Sequence, residues 1–368
     1  MKLGLPVFLA AAALCVPAAQ GFQLQPQIKH GNELIVAADN SGWYRRMNDI
    51  GAWAVDKYSH PVHEAITALM YQCKGGVCPE NLVPVTAPPA VLAGVRWNDN
   101  PPFILKRTSL AGCANRYIQL PIEPVCWADI FKAGQRDASK SKNPVFYQYD
   151  PGQAEQYALL LRSHFGDLQF LHAMASRPDE RAGHTRDKIM MWVEFTWRIT
   201  TGEFDRGTDM VQASQRMSLG SPTLLDYFGR GETVQLLFFK GEPAFAREFK
   251  DFAFGSLLHL VQDSYSTAHL SRTSASGKLC EGTSYEAPGS IEQFYNYVGQ
   301  NANAHSERDT HNAFVSHWRQ EPPPNLVDVG AVLIEMKQRN DTWETARPYF
   351  ECLFRTVDPL ARPGHGGI

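Results

Sequence analysis

The stretch His259-Leu-Val-Gln-Asp263-Ser-Tyr-Ser-Thr-Ala-His269 constrains this chain more than any other. Positions four apart on a helix share a face, with Cβ atoms roughly 5–6 Å apart, so His259 and Asp263 can converge on one cation. His269 cannot join them on a continuous helix. Ten helical residues span about 15 Å, whereas metal bonds to nitrogen or oxygen are only roughly 2.0–2.2 Å long. Either His269 is unrelated, or the helix ends within Ser264-Tyr-Ser-Thr267 and the chain turns back to deliver it to a neighbouring metal. The second reading is the expectation taken forward.

Other histidines and acids offer partners. His63 lies in Ser59-His-Pro-Val-His-Glu-Ala-Ile-Thr67 at the start of an amphipathic helix, with His60 as the fallback. His63-Glu64 resembles the opening of a zincin helix, but residue 67 is threonine, so the metalloprotease motif fails. Asp99 sits in Arg96-Trp-Asn-Asp-Asn-Pro101, where its plain role would be an Asx turn ahead of proline. His164 and His172 stand eight apart in Ser163-His-Phe-Gly-Asp-Leu-Gln-Phe-Leu-His172, and Phe170, Leu171 and Met174 around His172 predict burial. His184, with Asp187 three residues on, is a weaker rival. His305 and Asp309 repeat the four-residue spacing, and with His269 they make a site of two histidines and one carboxylate. The competing pair His317 and Glu321 runs into Pro322, and proline biases the residue before it away from helical geometry. His311 reads as a solvated helix residue. Neither a Gly-x-Ser-x-Gly elbow nor a Walker-type glycine loop occurs, so serine hydrolase and P-loop chemistry are not expected.

His-x3-Asp-x5-His, following Phe252-Ala-Phe-Gly-Ser-Leu-Leu258 and containing Gln262-Asp263-Ser264, resembles the core motif of the zinc-dependent phospholipase C and P1 nuclease superfamily. Among its branches the chain looks most like the secreted metallophospholipases C of pseudomonads and related bacteria. The likeness covers roughly 51–314, with specific motifs only in short stretches. It implies an all-α, phospholipase C/P1 nuclease-like helical domain holding three Zn2+ ions in one cleft. It also implies the ligands: Asp99, His172, His259 and Asp263 for one zinc, Asp263 bridging to a second that His63 helps bind, and His269, His305 and Asp309 for the third. Asp99 is the expected general base. In this family the mature amino terminus also grips a zinc, but here the presumed terminus, Phe22, lies some forty residues ahead of His63 and is not tryptophan. The implied activity is hydrolysis of phosphatidylethanolamine or phosphatidylcholine to diacylglycerol and a phosphorylated head group. A single-strand nuclease on the same frame is the alternative, and aspartate rather than glutamate at 309 argues for it. In the preferred reading the partner is a phospholipid surface and not nucleic acid. A formal net charge of −3 agrees, since it offers no global attraction to polyanions.

The remaining organisation is simple. Residues 1–21 read as a secretory signal, an apolar run followed by small residues, too short to anchor permanently in a bilayer of about 20 helical residues' thickness. Export is therefore expected, with no transmembrane anchor. Of seven cysteines, Cys15 leaves with the signal, and an even remainder in an exported chain suggests disulfides. Cys73 with Cys78 and Cys113 with Cys126 are close enough to close local loops, leaving Cys280 for Cys352. A lead-in over 22–50, one domain over 51–358 and a frayed tail over 359–368 are expected. Proline-rich 78–150 reads as long loops. Apolar residues at three- and four-residue intervals predict helices over 154–175, 187–199, 243–264, 291–315 and 327–354. The aromatic stretches Phe146-Tyr-Gln-Tyr149 and Phe238-Phe239 are candidates for meeting lipid, or for core.

Overall fold

The computed structural model describes residues 62–73, 87–105, 112–120, 122–140, 142–150, 159–218, 220–240, 245–297, 300–310, 313 and 322–367. The expected signal and lead-in, His60, Cys78, His311, His317 and Glu321 lie outside them. In chain order the elements are α1 Val62–Gln72, α2 Pro89–Val95, β1 Phe103–Ile104, β2 Tyr117–Ile118, α3 Pro124–Ala138, α4 Leu159–Phe165 and a 3-10 turn at Gln169–His172. There follow α5 Ala182–Thr201, α6 Met210–Arg216, a second 3-10 turn at Leu224–Asp226, α7 Val234–Phe239 and α8 Phe249–Asp263. Last come β3 Leu270–Arg272, β4 Ile291–Phe294, α9 Ala302–Arg308, α10 Leu326–Gln338 and α11 Trp343–Leu353. The chain is mostly helical, as expected; the strands form two short antiparallel pairs, β1 with β2 and β3 with β4.

Two helices without an exposed face set the architecture. α8 is buried from Phe252 to Asp263 and α5 from Lys188 to Thr200, the pattern of helices that run through a core instead of along its surface. α8 packs on α5 to one side and on α2 to the other, while α1 bridges α2, α8 and α10. The α8 and α2 backbones meet at glycines. A Cβ on Gly94 would stand 1.9 Å from Phe252 O, and one on Gly255 would stand 2.1 Å from Val91 O. Only hydrogen fits there, and the close approach sets Val95 beside His259. A smaller second core gathers Phe103, Ile118, Trp127, Phe131, Leu160 and Phe165. It lies next to the Cys113–Cys126 disulfide, and Cys280–Cys352 joins the loop after β3 to α11, so both of these expected pairings are present.

Several expected boundaries move. Within 78–150 the chain forms α2 and α3 rather than loops alone, and in each case a proline opens the helix, at Pro89 and Pro124; the first helical turn has no use for the missing N–H. The 154–175 helix is α4 followed by the 3-10 turn. It breaks at Gly166, whose Cβ would stand 1.8 Å from Tyr147 O. Residues 291–294 are the strand β4, not helix, because their backbone pairs with β3 emerging from the His269 turn; Leu270 faces Phe294. The 327–354 helix is two, α10 and α11, separated where Asn340 takes φ +56°. Phe238 and Phe239 are core, 1 % and 4 % exposed, so they meet no lipid. The segment expected to fray is pinned: Gly364 N donates to Phe294 O at 2.9 Å, Asn296 N to Gly364 O at 3.0 Å and Ala182 N to Ala361 O at 3.0 Å.

Candidate metal centre

α8 does end where the sequence suggests. Ser264 caps it, Ser266 N bonds back to Asp263 O at 3.0 Å and His269 N to Ser266 O at 3.0 Å. This tight turn returns His269 toward the helix end, so its Nδ1 comes within 3.7 Å of Asp263 Oδ2. The three side chains of the opening stretch therefore share one buried space.

Around Asp263 the other expected residues assemble from separate elements. Its Oδ2 faces His172 Nδ1 at 2.8 Å and His259 Nε2 at 3.0 Å, while its Oδ1 faces His63 Nε2 at 3.6 Å. Asp99 stands opposite on the turn after α2. Its Oδ2 faces His63 at 3.7 Å and His259 at 3.9 Å, and its Oδ1 faces His172 at 3.7 Å. Asp99 closes no Asx turn, since neither of its carboxylate oxygens forms a hydrogen bond. The turn is held instead by its neighbours. Asn98 Nδ2 donates to Leu171 O at 2.8 Å and its Oδ1 accepts from Ser256 Oγ at 2.6 Å, tying the Asp99 turn to the His172 segment and to α8. In the third group His305 Nε2 lies 3.0 Å and His269 Nε2 3.4 Å from Asp309 Oδ2, and Ser266 Oγ donates to Asp309 Oδ1 at 2.5 Å.

Three clusters of metal-binding size result: His63, His259 and Asp263; Asp99, His172 and His259; and His269, His305 and Asp309. All eight residues are buried. Their second atoms are tied down in a common way. Nδ1 of His259 donates to Val95 O at 2.6 Å, of His269 to His172 O at 2.7 Å, of His63 to Gln262 Oε1 at 2.6 Å, and of His305 to Gln300 Oε1 at 2.8 Å. A histidine held at Nδ1 presents the lone pair of Nε2, the arrangement in which imidazoles ligate metals. His172 departs from it, turning Nδ1 toward the carboxylates while Nε2 is buried without a hydrogen bond.

The residues fit cations. Asp99 Oδ1 and Oδ2, Asp263 Oδ1, His269 Nε2 and Asp309 Oδ2 are buried and make no hydrogen bond, a costly state unless something positive answers the carboxylates. Burial favours the neutral acid, yet the neighbouring imidazoles, His259 foremost, hold Asp99 below and Asp263 well below the ordinary carboxylate range. His305 and His269 do the same to Asp309. Burial, reinforced by His259, lowers His63 to about 4, and burial lowers His172. Burial works against charge on His269 too, but Asp263 and Asp309 outweigh it and raise His269 to about 9. Carboxylate oxygens with imidazole nitrogens, and no thiolate, suit zinc and other borderline divalent metals.

Two residues join the site that the sequence reading did not assign to it. His164, at the end of α4, fixes Nδ1 on Leu160 O at 2.9 Å and brings Nε2 to 3.7 Å from Asp99 Oδ1, as near as His172. It follows the same Nδ1-anchored pattern as the four ligand-like histidines above. Its signal was its place eight residues before His172, but the two are carried by different elements, not by one helix. Tyr297 stacks edge-on to His305 at 5.2 Å, and its buried hydroxyl makes no hydrogen bond; burial, then Asp309, keeps it protonated. Glu64 turns away from the centre to pair with Arg96 at 2.5 Å, and His184 and His365 are exposed. Compared with known proteins, the chain matches no family model, no curated protein and no solved structure.

Proposed function

We propose that this protein is a secreted zinc-dependent phosphodiester hydrolase of the phospholipase C/P1 nuclease type, acting as a phospholipase C on phosphatidylethanolamine or phosphatidylcholine. The observation that carries the reading is the convergence of three His/Asp clusters on one buried space, with Asp263 facing His63, His172, His259 and His269. Bound there, adjacent zinc ions would supply Lewis acidity to a phosphoryl group and lower the pKa of water. The first two clusters, including Asp99 and His172, and the third, His269 with His305 and Asp309, are the residues that would hold them.

The chain's own groups have distinct tasks. Asp99, held ionised and free of hydrogen bonds, is placed to take a proton from the attacking water. Tyr297, neutral and unbonded at its hydroxyl, is placed to donate to an oxygen that gains charge as the ester breaks. Phe131 and Phe165 of the smaller core wall the His164 side of the site. The disulfides, and the lack of any described helix long and apolar enough to cross a membrane, agree with an exported enzyme that meets its substrate at a surface.

A nuclease on the same frame is the second reading, and Asp309 in the third cluster favours it. Purified protein assayed on phosphatidylethanolamine, phosphatidylcholine and single-stranded DNA separates the two. Diacylglycerol release from either lipid is expected; turnover of DNA alone would replace the lipase reading, and turnover of none would end both.

A further inference from the structure

A second cavity, of about 450 Å³, opens beside the segment that follows the ligand turn. None of the metal-centre residues lines it. Its volume falls within the roughly 300–1,000 Å³ of small-molecule pockets. Two arginines, Arg272 and Arg308, and a run of hydroxyls that includes Ser271, Thr273 and Ser274 face it, and among the described residues its lining contains no aspartate or glutamate.

The two arginines are held differently. Arg272 is built into the wall, donating to Ser264 O and Gly289 O at 2.8 Å and to Leu353 O at 2.9 Å, so its charge is fixed at the cavity. Arg308 is clamped at one nitrogen only: Nη1 donates to Gly366 O at 2.9 Å and Thr267 O at 3.2 Å. Among the described residues its Nε and Nη2 bond to nothing, and no carboxylate pairs with it. That Nε/Nη2 edge is the one whose two parallel N–H groups match two oxygens of a phosphate. Thr273 Oγ1 accepts from Ser290 N at 2.9 Å, which leaves its O–H to donate inward. On a chain whose formal charge is −3, this is local cationic design, not a share of a basic surface.

We infer that this cavity binds a phosphate dianion, free or as a small polar phosphomonoester, on the Nε/Nη2 edge of Arg308, against the fixed charge of Arg272 and the hydroxyls of Ser271, Thr273 and Ser274. The inference stands whether or not the metal centre hydrolyses lipids, because it uses none of the centre's residues. Arg308 directly precedes Asp309 and Thr267 lies two residues before His269, so an anion seated here would brace both segments that carry the third cluster.

Calorimetric titration of the purified protein with inorganic phosphate and with phosphoethanolamine tests it, using Ser274→Asp, Arg308→Gln and, at the separate centre, Asp263→Asn. Ser274 is an exposed loop residue, so a carboxylate there repels the anion without disturbing the core. The expected result is phosphate binding that survives Asp263→Asn and weakens about tenfold or more in Ser274→Asp and Arg308→Gln, as for loss of one charge-assisted pair. Should Arg308→Gln fail to fold, Ser274→Asp decides alone. Tighter binding of phosphoethanolamine assigns the pocket to esters, and equal binding assigns it to free phosphate. Titrations unchanged by Ser274→Asp, or binding lost only in Asp263→Asn, would overturn the inference.

Discussion

Glu194 on α5 and Asp263 on α8 are buried carboxylates on helices that pack together, yet they are treated in opposite ways. Every oxygen of Glu194 is answered by the protein: Oε1 accepts from Arg198 Nε at 2.9 Å and Ser218 N at 2.7 Å, and Oε2 from Ser218 Oγ at 2.9 Å. Asp167 is likewise gripped twice by Arg162, at 2.8 and 2.9 Å, and by Tyr149 N at 2.7 Å. Among the described residues no arginine or lysine pairs with Asp263. Its neighbours are imidazoles whose Nε2 lone pairs are turned inward by carbonyls and amides behind them, with His172 alone presenting Nδ1, and a second carboxylate, Asp99, shares the space without a hydrogen bond. A structural charge is neutralised from within. The Asp263 space is answered only by imidazoles, which can give up a proton in exchange for a cation, and this contrast separates a stability element from a site.

Substitutions on the two sides should therefore fail differently. The largest effect is expected from Asp99→Asn, which keeps the shape but removes the proposed base and a proposed metal ligand: turnover should fall by at least about 10²–10⁴-fold, the usual contribution of general base catalysis, with the helical circular dichroism unchanged. Gln262→Ala, which frees His63 Nδ1, should weaken metal binding by roughly 10–100-fold, as outer-shell losses do, read by competition with a chromophoric chelator. On the structural side, Glu194→Gln removes one of the three carboxylates on Arg198, which keeps Glu203 and Glu344, and should cost about 1–3 kcal/mol of stability in denaturant unfolding, with metal content untouched. If Glu194→Gln also stripped metal, the division drawn here would be wrong. The smallest effect is a proton count. With His269 raised to about 9 by Asp263 and Asp309, the metal-free protein holds it protonated at pH 8, and binding a cation must expel that proton. Calorimetry in buffers of different ionisation enthalpy should show this release below about pH 9 and its loss above.

Much of the centre was legible because it is written locally. The four-residue spacings His259/Asp263 and His305/Asp309 put side chains on one helical face whatever the rest of the chain does, and a helix end was forced by the distance to His269. His63, Asp99 and His172 could be proposed only as partners, since their meeting depends on contacts far apart in sequence, such as Asn98 with Leu171 and with Ser256. His164 was passed over for the same reason: periodicity put it on one helix with His172, and the break at Gly166 that re-aims it depends on Tyr147. Gly94 and Gly255 were the overlooked signal. Glycine inside otherwise apolar helices marks close backbone approach, and here it sets the distance from Val95 to His259. The strand at 291–294 was illegible alone, because Ile291 and Phe294 are buried three apart, a helical spacing, and only pairing with β3 makes the segment a strand.

Metal content of the purified protein, measured together with phosphodiester turnover in wild type and Asp263→Asn, tests the central claim most directly. About three zinc ions per chain are expected, two in the joined clusters that share His259 and one in the His269, His305 and Asp309 cluster, with more than one lost and turnover abolished when Asp263, which faces histidines of all three clusters at once, becomes an amide. A wild-type protein that turns over substrate without bound metal, or an Asp263→Asn protein that keeps its full metal complement and rate, would contradict the account.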